Sequence, residues 1–208
     1  MVEIYNLGLT TYERGQEKQE EIFEYIQNNK EIDGVLIFLE VKPVITTAYS
    51  SEKGEIIFSK EKLNEKKIRC IKVDRGGKTT LHGPGQLICY PILNLEKFGK
   101  DLHKYLRKLE EVVINLLKEL NIKSGRKDNY TGVWVGEEKI CAMGIHVKKW
   151  ITTHGIALNN NIDLSLFDSI VPCGIKDVRI TSIKKLDKEV KMSILREKFI
   201  ENFNKVFY

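Results

Sequence analysis

A cysteine, Cys173, lies between a proline and a glycine in the stretch SIVPCGIKDV, at the end of a short apolar run. Pro172 fixes one backbone torsion and favours an extended conformation for the residue before it, while Gly174 permits a turn that other residues resist. A buried structural cysteine needs neither neighbour, whereas a thiol presented to a substrate uses both. The stretch also suits a small apolar core residue in a loop. Cys173 is therefore a candidate nucleophile, with a structural cysteine as the alternative.

A glycine-rich stretch, DRGGKTTLHGPGQ, spans residues 74–86 and follows a predicted strand. Paired glycines after a strand let backbone amides approach a ligand closely. The GKT within it does not complete a phosphate loop, because the pattern requires glycine at position 72 and the residue there is Lys72. A plain turn hardly needs His82, Gly83, Pro84 and Gly85 in succession. We therefore predict a ligand-binding loop.

Other residues suited to chemistry have ordinary alternatives. Lys139 follows the turn GEE, where a solvated lysine is routine. Cys141 is two residues further on, on the same face of a predicted strand, and its apolar neighbours suggest a core thiol. His82 and His154 suit hydrogen bonding within loops as well as catalysis. From the residues alone, Cys141 and Cys173 both stay open as the nucleophile.

The elements that must position these residues are helices and short strands without strict alternation. Periodicity predicts helices over about residues 11–28, capped by Thr10 or Thr11, over 99–120, and from 192 onward. The leucine-rich face of the second helix predicts packing with little room for chemistry. Strands are predicted at GVLIFLEV, PVITTAY, KIRCIKVD, QLICYPIL, TGVWVG, KICAMGIHV and ITTHGIALNNN, the last three forming an antiparallel meander. We therefore expect an α+β fold with a mostly antiparallel or mixed sheet flanked by helices.

Composition narrows the class of protein. The 208 residues suit one domain, over 1–208, since no linker is evident, and 34 Lys and Arg against 29 Asp and Glu give a mild net charge of +5. The lysines are scattered and no stripe interleaves basic and aromatic residues, which disfavours nucleic acid as a partner. The four cysteines form no metal-binding pattern, and no signal peptide or membrane-spanning run is evident. We expect a cytoplasmic protein with free thiols, no metal, no membrane partner, and a monomeric state by default.

Several separate blocks resemble one family, the octanoyltransferases of lipoate synthesis. The blocks are RGGKTTLHGPGQ, GVWVGEEKICAMGIHVKKWITTHGIALNNNIDLSLF, IVPCGI and VRITSI, and they occur in the family's order over about residues 75–183, with LGLTTYERGQEKQ similar to its amino-terminal helix. The resemblance covers nearly the whole chain. One departure follows LE, where the family commonly has a histidine and, a few residues later, a glycine. Here Val41 follows, and the next glycine is Gly54.

The resemblance implies an acyltransferase that takes an octanoyl group from octanoyl-acyl carrier protein and attaches it to one lysine of a lipoyl domain. The implied acceptors are the glycine cleavage H protein and the E2 subunits of 2-oxoacid dehydrogenases. The implied fold is that of the biotinyl and lipoyl protein ligase catalytic domain. Because the thioester is already activated, the family needs no ATP, and we expect no cofactor.

The family's motif cysteine falls on Cys173 and its motif lysine on Lys139. A free thiol is only about 3 % thiolate at pH 7, so a nearby ammonium that stabilises the anion, or a neutral lysine that accepts the proton, would activate it. The Gly174 amide is a candidate oxyanion donor. By the resemblance, the acyl group is held by three short segments: Arg75, Gly76, Gly77, Lys78, Thr79, Thr80, Leu81 and His82; Ala142, Met143 and Gly144; and Gly155, Ile156 and Ala157.

Two other functions compete with this one. An ATP-dependent lipoate or biotin protein ligase shares the architecture but needs no nucleophilic cysteine, so VPCGI speaks against it. A non-catalytic module that binds an acyl group or a carrier protein would need neither Lys139 nor Cys173.

Overall fold

The computed structural model describes residues 2–174 and 178–208. Strands and helices are interleaved along the chain and are each numbered in chain order, β1 to β11 and α1 to α4. The strands are β1 (Glu3–Thr10), β2 (Gly34–Val41), β3 (Val44–Thr47), β4 (Arg69–Lys72), β5 (Thr80–His82), β6 (Gln86–Leu93), β7 (Gly125–Lys127), β8 (Tyr130–Val135), β9 (Glu138–Lys148), β10 (Ile151–Asn159) and β11 (Arg179–Ile180). The helices are α1 (Tyr12–Asn28), α2 (Lys60–Glu65), α3 (Leu102–Glu119) and α4 (Met192–Phe207). Short 3₁₀ helices span Leu164–Ser169, Pro172–Gly174 and Lys184–Leu186.

A mixed sheet in the order β1-β2-β6-β10-β9-β8-β7 forms the centre of the described chain. The pairs β1–β2 and β9–β11 are parallel, and the pairs along the path from β2 to β7 are antiparallel. A smaller sheet, β4-β3-β5, brings the middle of the glycine-rich stretch, Thr80–His82, beside β3. The predicted α+β fold with a mixed sheet and flanking helices is confirmed.

Strand β2 shows how the sequence supplies two cores from one sheet. Successive side chains of a strand point to opposite faces. Leu36 and Phe38 accordingly pack with α3 and α4, whereas Val35 and Ile37 pack with the α1 side. A strand buried on both faces requires a continuous apolar run, which is what GVLIFLEV provides.

Helix α1 begins where the capping pattern predicted. The Thr11 side chain accepts a hydrogen bond from the Arg14 amide at 3.3 Å, which satisfies one of the amides that a helix leaves unpaired at its start. The buried face includes Tyr12, Gln19 and Ile22. This places Tyr12, the first residue of the helix, over the sheet.

Helix α3 differs in one respect from its apolar pattern. It begins at Leu102 after an Asp101 cap, and Leu102 is 39 % exposed although its spacing predicted packing. The buried face also includes a carboxylate, Glu110, which is 0 % exposed. The predicted packing role of this helix is confirmed, and Glu110 is a charged residue within the packed face.

Two elements have weak sequence signals. Strand β1 lies at the edge of the sheet, and all of its residues are exposed or half-buried. Apolar residues are therefore not required at regular positions along it. Helix α2 has six residues and buries only Leu63. Among residues 2–174 and 178–208, each helix is too short or too polar to span a bilayer.

Candidate active site

A cavity of about 350 Å³ opens on the α1 side of the sheet, between the glycine-rich loop and strands β6, β9 and β10. It brings together most of the side chains and backbone segments predicted to bind substrate: Arg75, Gly77, Lys78, Thr80, His82, Ala142, Met143, Gly144, Gly155, Ile156 and Ala157. Gly76, Thr79 and Leu81 belong to the same loop and strand but do not line the cavity. The three predicted segments thus meet in space.

Small residues form the floor of the cavity. On β9 and β10, Ala142 lies opposite Ala157 and Gly144 lies opposite Gly155, so small side chains face each other across two strands. A Cβ on Gly144 would come within 2.8 Å of the Gly76 carbonyl oxygen, and one on Gly155 would collide with the Cys89 carbonyl. Because Gly144 and Gly155 have no side chains, the backbones of Gly76 and Cys89 can lie close against them, which gives the floor its shape.

Lys139 lies in this cavity and is 6 % exposed, so it is not the solvated lysine that its turn alone suggested. Its Nζ lies 5.4 Å from the centroid of the Trp134 ring, which favours a cation. Gly132 makes room for it: a Cβ there would be 2.6 Å from Lys139 Cε and 3.2 Å from Nζ. The ammonium thus lies between an indole face and bare backbone.

The backbone of Cys173 lies in the short 3₁₀ helix Pro172–Gly174, and its side chain lies outside the described part of the structure. The following residue, Gly174, lines the same cavity as Lys139. Gly174 has a φ of +63°, and a Cβ would collide with the Lys78 side chain and lie 2.5 Å from Glu55 Oε1. Glycine after the cysteine is therefore needed both for the turn and for space.

The cysteine turn is attached to the loop that precedes α2. The Val171 amide donates to the Glu55 carbonyl at 2.7 Å, and the Ile57 amide donates to Ser169 at 2.8 Å. The Glu55 carboxylate also accepts from the Thr79 amide at 3.1 Å. Glu55 therefore joins the cysteine turn to the glycine-rich loop.

Some backbone amides of the loop and turn are hydrogen-bonded within the protein, and others belong to cavity residues and have no acceptor among the described residues. The Gly174 amide, a predicted oxyanion donor, already donates to Val171 O at 3.1 Å. It is therefore not a free donor in this structure. The Gly76 amide donates to Ile145 O at 2.8 Å. Among the described residues, the amides of Gly77 and Lys78 have no acceptor, and both residues line the cavity. These two amides are the available donors for an acyl oxygen.

Burial favours the neutral form of both cavity histidines. Burial lowers the pKa of His82 to about 3, and its Nδ1 lies 3.2 Å from Gln86 Oε1. Burial also lowers the pKa of His154, although Asp74, 2.9 Å from its Nε2, opposes the shift. A neutral His154 that donates from Nε2 to this carboxylate has Nδ1 free to accept from the Tyr12 hydroxyl at 3.5 Å. The rings of His82 and His154 are thus held by hydrogen bonds and form part of the cavity wall.

Arg75 adds a buried positive charge to the same wall. Its guanidinium donates to Thr46 Oγ1 at 2.8 Å and to the Gly76 carbonyl at 3.0 Å. The charge acts on its neighbours, because it opposes the rise in the pKa of Tyr12 that burial causes. Arg75 therefore fixes the loop and makes this end of the cavity electropositive.

Cys141, the rival nucleophile, packs in the α3–α4 core and is 0 % exposed. Burial raises the pKa of its thiol to about 12, against the opposing charge of Lys139. A thiol that stays protonated and inaccessible is a poor nucleophile. The core assignment suggested by its apolar neighbours is confirmed.

Sequence reasoning missed several residues at this site. The pattern assigns Tyr12 to helix packing and Tyr90 to a strand, and it gives Tyr130 no role, yet all three line the cavity. Glu110 had one available signal, since it lies three residues before Val113 on the apolar face of α3. A charged residue at such a position indicates buried partners.

Comparisons with known proteins agree with this architecture. The family model described as the lipoyl protein ligase A/B catalytic domain matches residues 11–204. Solved structures show the same fold at low identity. A bipartite lipoate protein ligase from Thermoplasma acidophilum gives a TM-score of 0.76 at 16% identity, over 99% of this chain and 83% of that one. Biotin protein ligase from Aquifex aeolicus, in complex with biotin and ATP, gives 0.60 at 16%, over 100% and 71%.

Curated relatives are much closer in sequence. An octanoyltransferase from Caldanaerobacter subterraneus subsp. tengcongensis is 49% identical over 205 residues, covering 99% of this chain and 90% of the relative. One from Clostridium kluyveri is 45% identical over 199 residues, covering 96% and 85%. One from Christiangramia forsetii is 40% identical over 223 residues, covering 99% and 95%. Since these matches extend along nearly the whole of each protein, the chain belongs to the octanoyltransferase family and is an acyltransferase of lipoylation.

Proposed function

We propose that this octanoyltransferase moves an octanoyl group from octanoyl-acyl carrier protein to one lysine of a lipoyl domain through an acyl-cysteine intermediate on Cys173. The observation that carries the proposal is a shared cavity: the buried Lys139 and the residue after Cys173, Gly174, both line it. The motif lysine and the cysteine turn, far apart in sequence, therefore meet beside a floor suited to an acyl chain.

In the first step the Cys173 thiolate attacks the carbonyl carbon of the donor thioester. The new carbon–sulfur bond forms, the bond to the carrier's sulfur breaks, and the carrier leaves as a thiolate that takes up a proton. Lys139 stabilises the attacking thiolate as a cation or accepts the thiol's proton as a base. The Gly77 and Lys78 amides, which have no acceptor within the described part of the chain and belong to cavity residues, are the donors we propose for the oxygen on which negative charge develops.

In the second step the acceptor lysine attacks the acyl-cysteine as a neutral amine. An amide bond forms, the Cys173 thiolate is released, and the amine loses one proton. That proton passes to Lys139 or to the departing sulfur. Because one thioester replaces another in the first step, the acyl group stays activated until the amine arrives, and no nucleotide is required.

The acyl chain lies along the small-residue floor made by Ala142, Gly144, Gly155 and Ala157. Burying its apolar carbons contributes ~5 kcal/mol at about 0.8 kcal/mol per carbon. This term favours an apolar channel over specific polar contacts for the chain. The acceptors we propose are lipoyl domains, such as those of the glycine cleavage H protein and the 2-oxoacid dehydrogenase E2 subunits.

Intact-protein mass spectrometry tests the intermediate directly. Incubation with octanoyl carrier protein, without ATP or magnesium, should add one octanoyl group that hydroxylamine removes. Peptide mapping should place it on Cys173, and Cys173→Ala should acquire none. An adduct on another residue, or none at all in the wild-type protein, would refute the proposed route.

The same assay distinguishes the ligase alternative. Free octanoate with ATP and magnesium should give no octanoylated lipoyl domain, whereas octanoyl carrier protein alone should give it. Transfer from free octanoate that depends on ATP would place this protein with the ligases whose fold it shares.

A further inference from the structure

Glu110 is a carboxylate in the middle of the apolar face of α3, and it is 0 % exposed. Its Oε2 accepts hydrogen bonds from Arg107 at 2.7 Å and from Arg126 at 2.9 Å. Both arginines are partly exposed, so their charges alone do not explain why the carboxylate lies deeper than either. A buried ion pair is weak evidence for stability, because apolar residues of similar volume often serve as well.

The second oxygen of Glu110 is directed at the active site. Oε1 accepts a hydrogen bond from the Gly132 amide at 3.0 Å. Gly132 is the residue whose missing side chain leaves room for Lys139, and its φ of +127° is one that other residues rarely adopt. One carboxylate thus fixes the backbone against which the Lys139 ammonium lies.

The same carboxylate holds both strands of the hairpin beside Lys139. Arg126 belongs to β7 and Gly132 to β8. The residues that join these two contacts, Asn129, Tyr130 and Thr131, line the cavity. Moving the hairpin would therefore change the cavity wall and the surroundings of Lys139 together.

We propose that Glu110 is a positioning residue for Lys139: through the Gly132 amide and Arg126, it holds the β7–β8 hairpin so that the ammonium is directed into the cavity. The inference rests on the proposed role of Lys139 in acyl transfer. It assigns a function to a charge that packing does not require.

Glu111 offers a matched control on the same helix. It also accepts a hydrogen bond from Arg126, at 2.6 Å, but it is 42 % exposed, and the Gly132 amide donates to Glu110 instead. Replacing either glutamate removes one carboxylate from Arg126. Only the change at Glu110 releases the Gly132 amide.

The test measures turnover of octanoyl carrier protein by Glu110→Gln, Glu110→Asp and Glu111→Gln at a temperature where circular dichroism shows each to be folded. Glutamine keeps the size but loses the charge, and aspartate keeps the charge but retracts it from Gly132. We expect both Glu110 variants to lose roughly tenfold or more in kcat with KM changed by less than about threefold. Glu111→Gln should stay within about twofold of wild type in both constants.

A double variant separates positioning from general loosening of the fold. If Glu110 acts through Lys139, Glu110→Gln/Lys139→Ala should be no slower than Lys139→Ala alone. If the double variant instead loses kcat by the product of the two single-variant losses, the two residues act independently and the inference is overturned. Wild-type kcat in both Glu110 variants would also overturn it. Wild-type transfer by Lys139→Ala would instead refute the proposed role of Lys139 itself, so the two failures are distinguishable.

Discussion

The charge and the basicity of Lys139 are separable by substitution. Lys139→Ala removes both, and we expect transfer to fall about a hundredfold or more. Lys139→Arg keeps a permanent charge but cannot act as a base at ordinary pH. We expect the arginine variant to form the acyl-enzyme slowly and to transfer little, because the acceptor amine must still lose a proton.

Single-turnover measurements of acylation and of transfer, in the wild type and both variants, check this expectation. Acylation and transfer that fail equally in Lys139→Arg would show that proton transfer governs both steps. Near-normal transfer in Lys139→Ala would remove Lys139 from the mechanism.

The cysteines predict a selective pattern of alkylation. Cys89 and Cys141 are fully buried, and burial raises the pKa of both thiols, to about 12 for Cys141. Brief iodoacetamide treatment of the folded protein at neutral pH should therefore leave both unmodified and modify Cys173. Peptide mapping by mass spectrometry measures this, with the protein unfolded in urea as the control in which every cysteine reacts.

Cys141→Ala should correspondingly keep octanoyl transfer within severalfold of wild type, because it changes only a small core side chain. Rapid alkylation of Cys141 in the folded protein, together with loss of transfer in this variant, would contradict the assignment of the nucleophile.

At the level of elements, helices α3 and α4 are joined through Glu119 at the end of α3. Its carboxylate accepts from Lys198 at 2.8 Å and from Asn202 at 3.0 Å, and these hydrogen bonds lower its pKa to about 2. Because the folded pKa lies below the unfolded value of about 4.3, the contribution to stability is present above pH 4.3 and is lost as pH falls toward 2.

Glu119→Gln should lower the free energy of unfolding at pH 7 by about 1 kcal/mol or less, and the difference from wild type should shrink between pH 5 and about 2. Urea unfolding at several pH values measures it. A difference that stays constant across this range would show that the ion pairs with α4 do not set the carboxylate's titration.

Elements with a strong period were predictable from the sequence, and contacts between distant elements were not. Helix α1 has an amphipathic face and a capping threonine, and β2 has an apolar run long enough for two buried faces. The partners of Glu110, in contrast, come from a different turn of α3 and from the β7–β8 hairpin. The pairing with Arg107 is local, three residues apart on α3, but no local pattern encodes the contacts with Arg126 and Gly132, since these depend on how the hairpin folds back over the helix.

In the active site, too, local features were predictable from the sequence and contacts between distant elements were not. The cysteine, the lysine and the glycine-rich loop were located as sequence blocks, with their roles implied by resemblance. The contact of Gly132 with Lys139 and the link from Glu55 to the cysteine turn depend on register and chain reversal. Such features are set by tertiary packing, so a single sequence gives little access to them.

For the whole molecule, filling the cavity should stabilise the fold. By the proposed route, an octanoyl group attached to Cys173 would be buried in the cavity of the folded protein and exposed when the chain unfolds, so its burial would favour the folded state. We expect the acyl-enzyme to melt about 5 °C or more above the free protein. Differential scanning fluorimetry, started immediately after loading, measures the shift.

Cys173→Ala treated with the same donor is the control and should show no comparable shift, since it holds no covalent acyl group. Equal melting temperatures for loaded and free wild-type protein would indicate that the chain lies outside the cavity.

Strand β9 largely separates two tasks, because Ala142 and Gly144 line the cavity while Cys141 and Ile145 pack with α3 and α4, and only Met143 between them does both. A lineage that adapts to a hotter or colder habitat can therefore replace the core side chains that pack against α3 and α4 while its preference for a particular acyl chain stays the same. Chain-length preference can likewise drift on the other face without loss of the core. The two faces are linked at Met143, which belongs to both, and, by the inference above, at Glu110, whose carboxylate lies in a core helix and holds the surroundings of Lys139.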